Sequence, residues 1–493
     1  MSNAGNAANA IDNSSTNAAG GTITINAGGP TGDVDIDGRI DNSSRTGSGT
    51  VKLASANDQV RLDTAGISRG DIINSNTLGN GGTIDIDAGG QIYLSGIIDN
   101  SSPGSGGIIT MDSTSNSVRI DNTASFATAI NNSTTTGAGG TIALNAGGAS
   151  GDVIVDGIIN NSSILNAGSV TLKSANDDVS INGPGALNGD INNSTTGGNG
   201  GVITITAGDD AFVDGTLDNS STGIGGTITV TGTNGSANVG NNGLQPIAIN
   251  NSTTGGVGGN ITFSASGAGE DVLIDGTIQN TSTGNAGNIS LTSNNDTVQI
   301  VASGATANIV NTSTTGNAGD ITISAFNLFQ IDGFIDNSTT SVAGTISLTS
   351  TNNTAQVLNQ ADNVFAINNS TTNGAGGTII ISGGGTGGDA RVDGTILNTS
   401  TQDGGLVQLT SANDDVLVYA ASAALRGDIN NSTTGGNGGT ITISAGDDAS
   451  IDGIITNTST ATGGTITVTG TNGSANVGNN GLQPIAINNS TTG

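Results

Sequence analysis

The amino-acid sequence predicts an all-β fold, a right-handed parallel β-helix (solenoid) in which short strands stack coil upon coil. Three observations predict it. A motif of Ile or Leu, any residue, Asn, and then Ser or Thr recurs seventeen times along the 493 residues. Each interval holds three short runs in which Ile or Val alternates with polar residues, as in half-buried strands. No run shows the apolar period of about 3.6 residues that an amphipathic helix requires.

The recurrent asparagine divides the chain into units of 26 to 33 residues, which follow one another in a fixed order of lengths. Four successive units form a super-repeat of about 119 residues. We therefore expect about 16 coils in a single continuous β-helix rod over residues 1–493, with super-repeats at 13–131, 132–250, 251–368 and 369–488. A β-sandwich is the alternative fold, but it does not need seventeen equivalent positions, whereas a solenoid does.

The unit that begins at Asn193 shows how one coil is built. Ile203 and Ile205 share a face of the first run, Val213 lies in the second run, and Leu217 lies in the third. Glycine-rich segments separate the runs, as turns require. We expect three sheet faces per coil. The right-handed sense is expected because three unequal runs lack the hexapeptide repeat of left-handed β-helices.

The recurrent asparagine lies two residues after a core Ile, and we expect it to point inward. Stacked amides can then form a structural hydrogen-bonded ladder along the solenoid. Asn74 occupies this position without forming an N-x-Ser/Thr sequon. The sixteen ladder residues that also form sequons are Asn13, Asn42, Asn100, Asn132, Asn161, Asn193, Asn219, Asn251, Asn280, Asn311, Asn337, Asn369, Asn398, Asn431, Asn457 and Asn489. Glycosylation is the alternative interpretation, but a buried asparagine cannot carry a sugar.

Composition restricts the function classes. The formal net charge is −30, which disfavours nucleic acid or an anionic membrane as a partner. No run of about 18 apolar residues is present, so no membrane insertion is expected. The chain has no His and no Cys, and near-identical coils build no unique cleft for a pair of catalytic carboxylates. We therefore expect no enzyme activity and no required cofactor.

Acidic residues suggest a cation site. Alignment of the second strand in neighbouring coils places one Asp just before it in three consecutive coils, in two super-repeats. These candidate metal ligands are Asp152, Asp178 and Asp210, and Asp389, Asp415 and Asp448, flanked by Asp177, Asp209, Asp414 and Asp447. Like charges stacked about 4.8 Å apart repel, and Ca²⁺ would relieve this by taking their oxygens. The alternative is that these turn carboxylates are solvated and splay apart.

Two further surface functions come from the outward residues. Thr-x-Thr strands, such as those starting at Thr227 and Thr465, form flat arrays like those of ice-binding faces, but Lys52 and Asp85 interrupt the array. A glycan reader usually exposes aromatic platforms, and only 2 Tyr and 7 Phe are present. A cation-dependent, glycan-directed or ice-directed binding face is therefore the alternative to a mechanical role.

The repeat text GNGGTITI, GNAGNISL, GNAGDITI and GGTITVTG resembles the repeat regions of filamentous-haemagglutinin-like and other large bacterial surface adhesins. The resemblance covers nearly the whole chain and concerns architecture. It implies a structural or adhesive rod at the bacterial cell surface or in an extracellular fibre, with a host or neighbouring cell surface as a partner.

Residues 8–16 match the end of the fourth coil type at 485–493. Both ends of the sequence therefore lie at the same point of the super-repeat, without a polar cap. We expect the partners to be flanking repeats of a longer chain or other copies of the same chain. In the second case, head-to-tail stacking would build a filament.

Overall fold

The computed structural model describes residues 9–63, 69–122, 127–183, 189–240, 246–302, 307–360, 363–420, 427–478 and 485–492. These residues form β-strands in three parallel sheets with about 29 residues per turn, which confirms the predicted β-solenoid. In this part of the chain, no helix is long and apolar enough to cross a membrane. Two compact units divide the chain, an N-terminal unit of residues Met1–Asn242 and a C-terminal unit of residues Gly243–Gly493.

The strands of the N-terminal unit follow the order A, B, C along the chain, one strand per sheet in each coil. Sheet A contains Ile11–Asp12, Ile40–Asp41, Ile72–Ile73, Ile98–Asp99, Thr128–Asn131, Ile158–Asn160, Ile191–Asn192 and Leu217–Asp218. Sheet B contains Thr22–Ala27, Thr50–Ser55, Thr83–Ala88, Ile108–Ser113, Thr141–Ala146, Ser169–Ser174, Val202–Ala207 and Thr227–Gly232. Sheet C contains Val34–Asp37, Val60–Asp63, Ile92–Leu94, Val118–Ile120, Val153–Asp156, Val179–Asn182, Ala211–Val213 and Ala237–Gly240.

The C-terminal unit repeats this order. Sheet A contains Ile247–Asn250, Thr277–Gln279, Ile309–Val310, Ile335–Asp336, Ile367–Asn368, Ile396–Leu397, Ile429–Asn430, Ile455–Thr456 and Ile487–Asn488. Sheet B contains Asn260–Ala265, Ile289–Ser293, Ile321–Ala325, Thr345–Ser350, Thr378–Gly383, Leu406–Ser411, Thr440–Ala445 and Thr465–Gly470. Sheet C contains Val272–Asp275, Val298–Val301, Phe329–Ile331, Ala355–Val357, Ala390–Asp393, Val416–Tyr419, Ala449–Ile451 and Ala475–Val477.

The strands pair in parallel, so residues at the same place in neighbouring coils lie above one another. In sheet B, for example, Ile203 pairs with Val170 on one side and with Ile228 on the other. Side chains alternate between the two faces, and the inward side chains form columns of Ile, Val, Leu and Ala that are fully buried. In the coil of Asn193, Ile203, Ile205, Val213 and Leu217 fill the interior, as the sequence predicts.

One glycine marks the first coil of each super-repeat. Gly38 and Gly157 in the N-terminal unit, and Gly276 and Gly394 in the C-terminal unit, follow a sheet C strand that ends in Asp. Their φ angles lie between 121° and 132°, a region that side chains rarely adopt. The Asp-Gly pair at these four positions therefore ends the strand in a turn that only glycine enters without strain.

Candidate functional site

The asparagines after sheet A form a ladder inside the N-terminal unit. From Asn42 onward, these side chains are fully buried. The Nδ2 of each residue donates to the Oδ1 of the next at 2.7 to 3.0 Å, along the series Asn13, Asn42, Asn74, Asn100, Asn132, Asn161, Asn193 and Asn219. Asn74, which lacks a sequon, belongs to this series. The amides therefore connect neighbouring coils at one edge of the core.

In the C-terminal unit the ladder is interrupted. Contacts of 2.8 to 3.0 Å join Asn280, Asn311, Asn337 and Asn369 in series, and Asn398 to Asn431. The Oδ1 atoms of Asn280, Asn398 and Asn457 have no hydrogen-bond partner among the described residues. Asn251 and Asn457 are buried at the same position of their coils, whereas Asn489 is exposed. The ladder therefore lacks the amide-to-amide hydrogen bond from the preceding coil at Asn280, Asn398 and Asn457.

A column of glycine carbonyls accepts the second amide hydrogen, and the sequence analysis missed it. The Nδ2 of Asn193 donates to the carbonyl of Gly168 in the preceding coil at 3.1 Å. The ladder residues from Asn42 to Asn219, and from Asn280 to Asn489, make equivalent bonds. A glycine stands seven or eight residues after every ladder asparagine from 13 to 457, and this spacing is the signal that could have revealed it. The column is Gly21, Gly49, Gly82, Gly107, Gly140, Gly168, Gly201, Gly226, Gly259, Gly287, Gly319, Gly344, Gly377, Gly405, Gly439 and Gly464.

Close packing explains the glycines. A Cβ at Gly201 would lie 2.0 Å from the Gly168 carbonyl oxygen and 2.5 Å from the Asn193 Nδ2. Neither atom can yield, because one belongs to the backbone and the other to a buried amide that is bonded to its neighbours. Asn193 thus connects the coil before it, through the Gly168 carbonyl, with the coil after it, through the Asn219 amide oxygen.

The acidic residues before sheet C stack in register. The pairing of Val153 with Val179, and of Val179 with Ala211, places Asp152, Asp178 and Asp210 one above another. Asp152 Oδ1 accepts the backbone N–H of Asp178 at 3.4 Å, and Asp178 Oδ1 accepts that of Asp210 at 3.0 Å.

In the C-terminal unit, Asp389, Asp415 and Asp448 repeat the arrangement. The corresponding oxygen-to-nitrogen distances are 3.3 and 2.9 Å. These carboxylates therefore accept backbone N–H groups of the following coil, in addition to lying close to one another.

The closest groups of three carboxylates differ from the predicted columns. Carboxylate oxygens of Asp152, Asp177 and Asp178 lie within 4.8 Å of one another, and those of Asp389, Asp414 and Asp415 do the same. Each group thus contains two residues of the predicted column and one flanking residue. The flanking residue is Asp177, directly before Asp178, in one group and Asp414, directly before Asp415, in the other. Asp210 and Asp448 lie outside these groups and accept the backbone N–H of Ser236 and Ser474. Each group could offer several hard oxygen ligands to Ca²⁺.

The electrostatics of these columns disfavour charge. Partial burial raises the pKa of Asp152, Asp178 and Asp389, and neighbouring carboxylates add to the rise, whereas the backbone hydrogen bonds oppose it. Since the neutral form is favoured in the folded state, the stabilisation is complete below about pH 3.8. It is lost as the pH rises through the raised pKa values.

We therefore expect the chain to melt at a higher temperature just above pH 4 than at pH 7, measured by circular dichroism. Asp178→Asn keeps the Oδ1 acceptor for Asp210 and removes the charge, so its melting temperature should depend less on pH than that of the unchanged chain. An equal or steeper dependence in the variant would contradict this explanation. At Asp41, burial acts to raise the pKa, but the hydroxyl and backbone N–H of Ser43 and the guanidinium of Arg39 together outweigh it and lower the pKa. The stabilisation that Asp41 contributes is therefore lost only below about pH 3.8.

Most arginines of the N-terminal unit are neutralised by the Asp two residues later. Arg39 pairs with Asp41, Arg61 with Asp63, Arg69 with Asp71, and Arg119 with Asp121. Arg61 and Asp63 lie on the same face of strand Val60–Asp63, because residues i and i+2 of a strand point the same way. The arginines therefore add little net positive charge to the surface.

Neither a protein-family model, nor a curated protein, nor a solved structure matches the chain.

Proposed function

We propose that the chain is a structural and adhesive element of a bacterial cell surface or extracellular fibre, without a catalytic role. The observation that supports the proposal is the repetition of inter-coil contacts along each unit. Asparagine amides donate to glycine carbonyls of the preceding coil in both units, and to the next asparagine along the N-terminal unit and in two series of the C-terminal unit. Repetition stiffens a solenoid and presents similar surfaces in each coil. The likeness of the repeat text to large surface adhesins also supports the proposal.

The mechanical part predicts a specific force–extension record. When the chain is pulled from its ends in an atomic force microscope, coils should detach one at a time. Each coil of 26 to 33 residues releases about 90 to 110 Å of extended chain. A single rupture that releases several coils together would contradict a chain of independently fastened coils.

The adhesive part is tested with a matched deletion. Removal of residues 132–250 joins positions that are equivalent in the super-repeat, so the shortened chain should fold. Beads coated with either chain should be retained on host-cell monolayers, and antibodies to the chain should label intact producing bacteria. The proposal would be overturned if beads coated with either chain were retained no better than uncoated beads. It would also be overturned if the antibodies labelled the bacteria only after cell lysis.

A second candidate function is Ca²⁺ binding, which the two groups of three carboxylates favour. At a free Ca²⁺ concentration about ten times a Kd of about 1 mM, each site would stabilise the fold by about 1.4 kcal/mol. We expect Ca²⁺ to raise the melting temperature and a chelator to reverse the rise. Asp178→Asn and Asp415→Asn together should abolish the effect, whereas Asp112→Asn, an exposed aspartate on sheet B, should preserve it. Equal melting with Ca²⁺ and with chelator would exclude the sites.

A further inference from the structure

Both tyrosines of the chain lie on the outer face of sheet C, and each contacts an arginine. The Cζ of Arg61 lies 5.8 Å from the centroid of the Tyr93 ring, and the Cζ of Arg391 lies 5.6 Å from that of Tyr419. The Arg391 Nη2 also donates to the Tyr419 hydroxyl at 3.0 Å. The chain has only 2 Tyr and no Trp, yet sheet C of each unit carries a tyrosine that contacts an arginine. This recurrence indicates a distinct surface.

Around Tyr93 this surface forms an open cleft of about 500 Å³, a size that accommodates a small ligand. Parallel pairing places Arg61, Tyr93 and Arg119 on three successive coils, with side chains outward. The lining residues are Gln59, Arg61, Gln91, Tyr93, Arg119 and Asp121.

The cleft combines donors and acceptors with little net charge. Asp63 neutralises Arg61, and Asp121 neutralises Arg119 at 2.6 Å. The side-chain amides of Gln59 and Gln91 have no hydrogen-bond partner within the described ranges. Each free amide offers two donors and one acceptor in a fixed plane.

We propose that this cleft binds a neutral oligosaccharide. Sugar hydroxyls donate and accept together, which matches the free amides, guanidinium edges and carboxylate that line the open cleft. A polyanionic glycan is disfavoured because the chain carries a net charge of −30 and both arginines are already paired. The binding site goes beyond the structural role and does not depend on it.

The test uses the full 493-residue chain and intrinsic tyrosine fluorescence. Tyr419→Phe leaves Tyr93 as the single tyrosine, so its emission reports on the cleft. The probes are hexasaccharides of glucose, N-acetylglucosamine, mannose and galactose, with oligogalacturonate as the charged comparison. At least one neutral probe should change the emission in a saturable manner and bind more tightly than oligogalacturonate.

Gln91→Ala should then weaken binding of that probe about tenfold, which corresponds to about 1.4 kcal/mol for lost hydrogen bonds. Gln299→Ala removes an outward glutamine from sheet C of the other unit and should leave the affinity unchanged. Circular dichroism melting checks that both variants fold. The proposal is overturned if no neutral probe binds, if oligogalacturonate binds best, or if Gln91→Ala and Gln299→Ala bind equally.

Discussion

Asn193→Asp should destabilise its coil and both neighbouring coils by about 3 to 5 kcal/mol. The Asn193 amide donates to Asn219 Oδ1 at 3.0 Å and to the Gly168 carbonyl at 3.1 Å, while its own oxygen accepts from Asn161. An aspartate would lose both donors and would place a fully buried carboxylate against two oxygens.

The control is Asn192→Asp, one residue earlier on the opposite face of the strand. Asn192 Oδ1 accepts the N–H of Ser194 at 3.1 Å, and in the next coil Asp218 accepts that of Ser220 at 3.0 Å. An aspartate therefore suits this position, and we expect a change below about 0.5 kcal/mol.

Because a solenoid can open locally, hydrogen exchange of peptides spanning residues 161–227 is the appropriate measurement, alongside the melting temperature. The Asn193→Asp chain should lose protection in these peptides, and the Asn192→Asp chain should keep it. Equal protection in the two variants would show that the amide ladder contributes nothing to coil stacking.

Gly201→Ala should destabilise the fold by about 3 kcal/mol, because its Cβ would overlap the Gly168 carbonyl oxygen and the Asn193 Nδ2. Gly47→Ala is the matched control, since nothing lies within 4 Å of a Cβ at that turn residue. Urea denaturation should give a lower midpoint for Gly201→Ala and an unchanged midpoint for Gly47→Ala. Identical midpoints would mean that the backbone moves aside cheaply and that the glycine column is not required.

The strand period and the coil length could be predicted from the sequence because they depend on local alternation. Ile203 and Ile205 had to face the core if their neighbours were polar, and the seventeen equivalent asparagines required a repeating structure. Alignment of these positions also gave the register between coils. The stacking of Asp152, Asp178 and Asp210 could therefore be predicted from the sequence.

Other features depend on side-chain direction and on distances between coils, which alignment does not contain. Alignment placed Asp210 in the column but could not show that Asp177 turns its carboxylate toward Asp152. In the first super-repeat, the pairing of Val34 with Val60 places Gln59 beside Asp33 at the position that precedes sheet C. The cleft at Tyr93 combines residues from three coils, each unremarkable alone.

A crystal structure at a resolution that distinguishes amide nitrogen from oxygen tests the central claim most directly. The claim is that inward asparagines join successive coils of a parallel β-solenoid through their neighbours and the glycine carbonyls. We expect each amide nitrogen from Asn42 to Asn193 to lie within about 3.2 Å of the next Oδ1 and of a glycine carbonyl oxygen. Asparagine side chains that point to solvent, or strands that pair in antiparallel fashion, would contradict it.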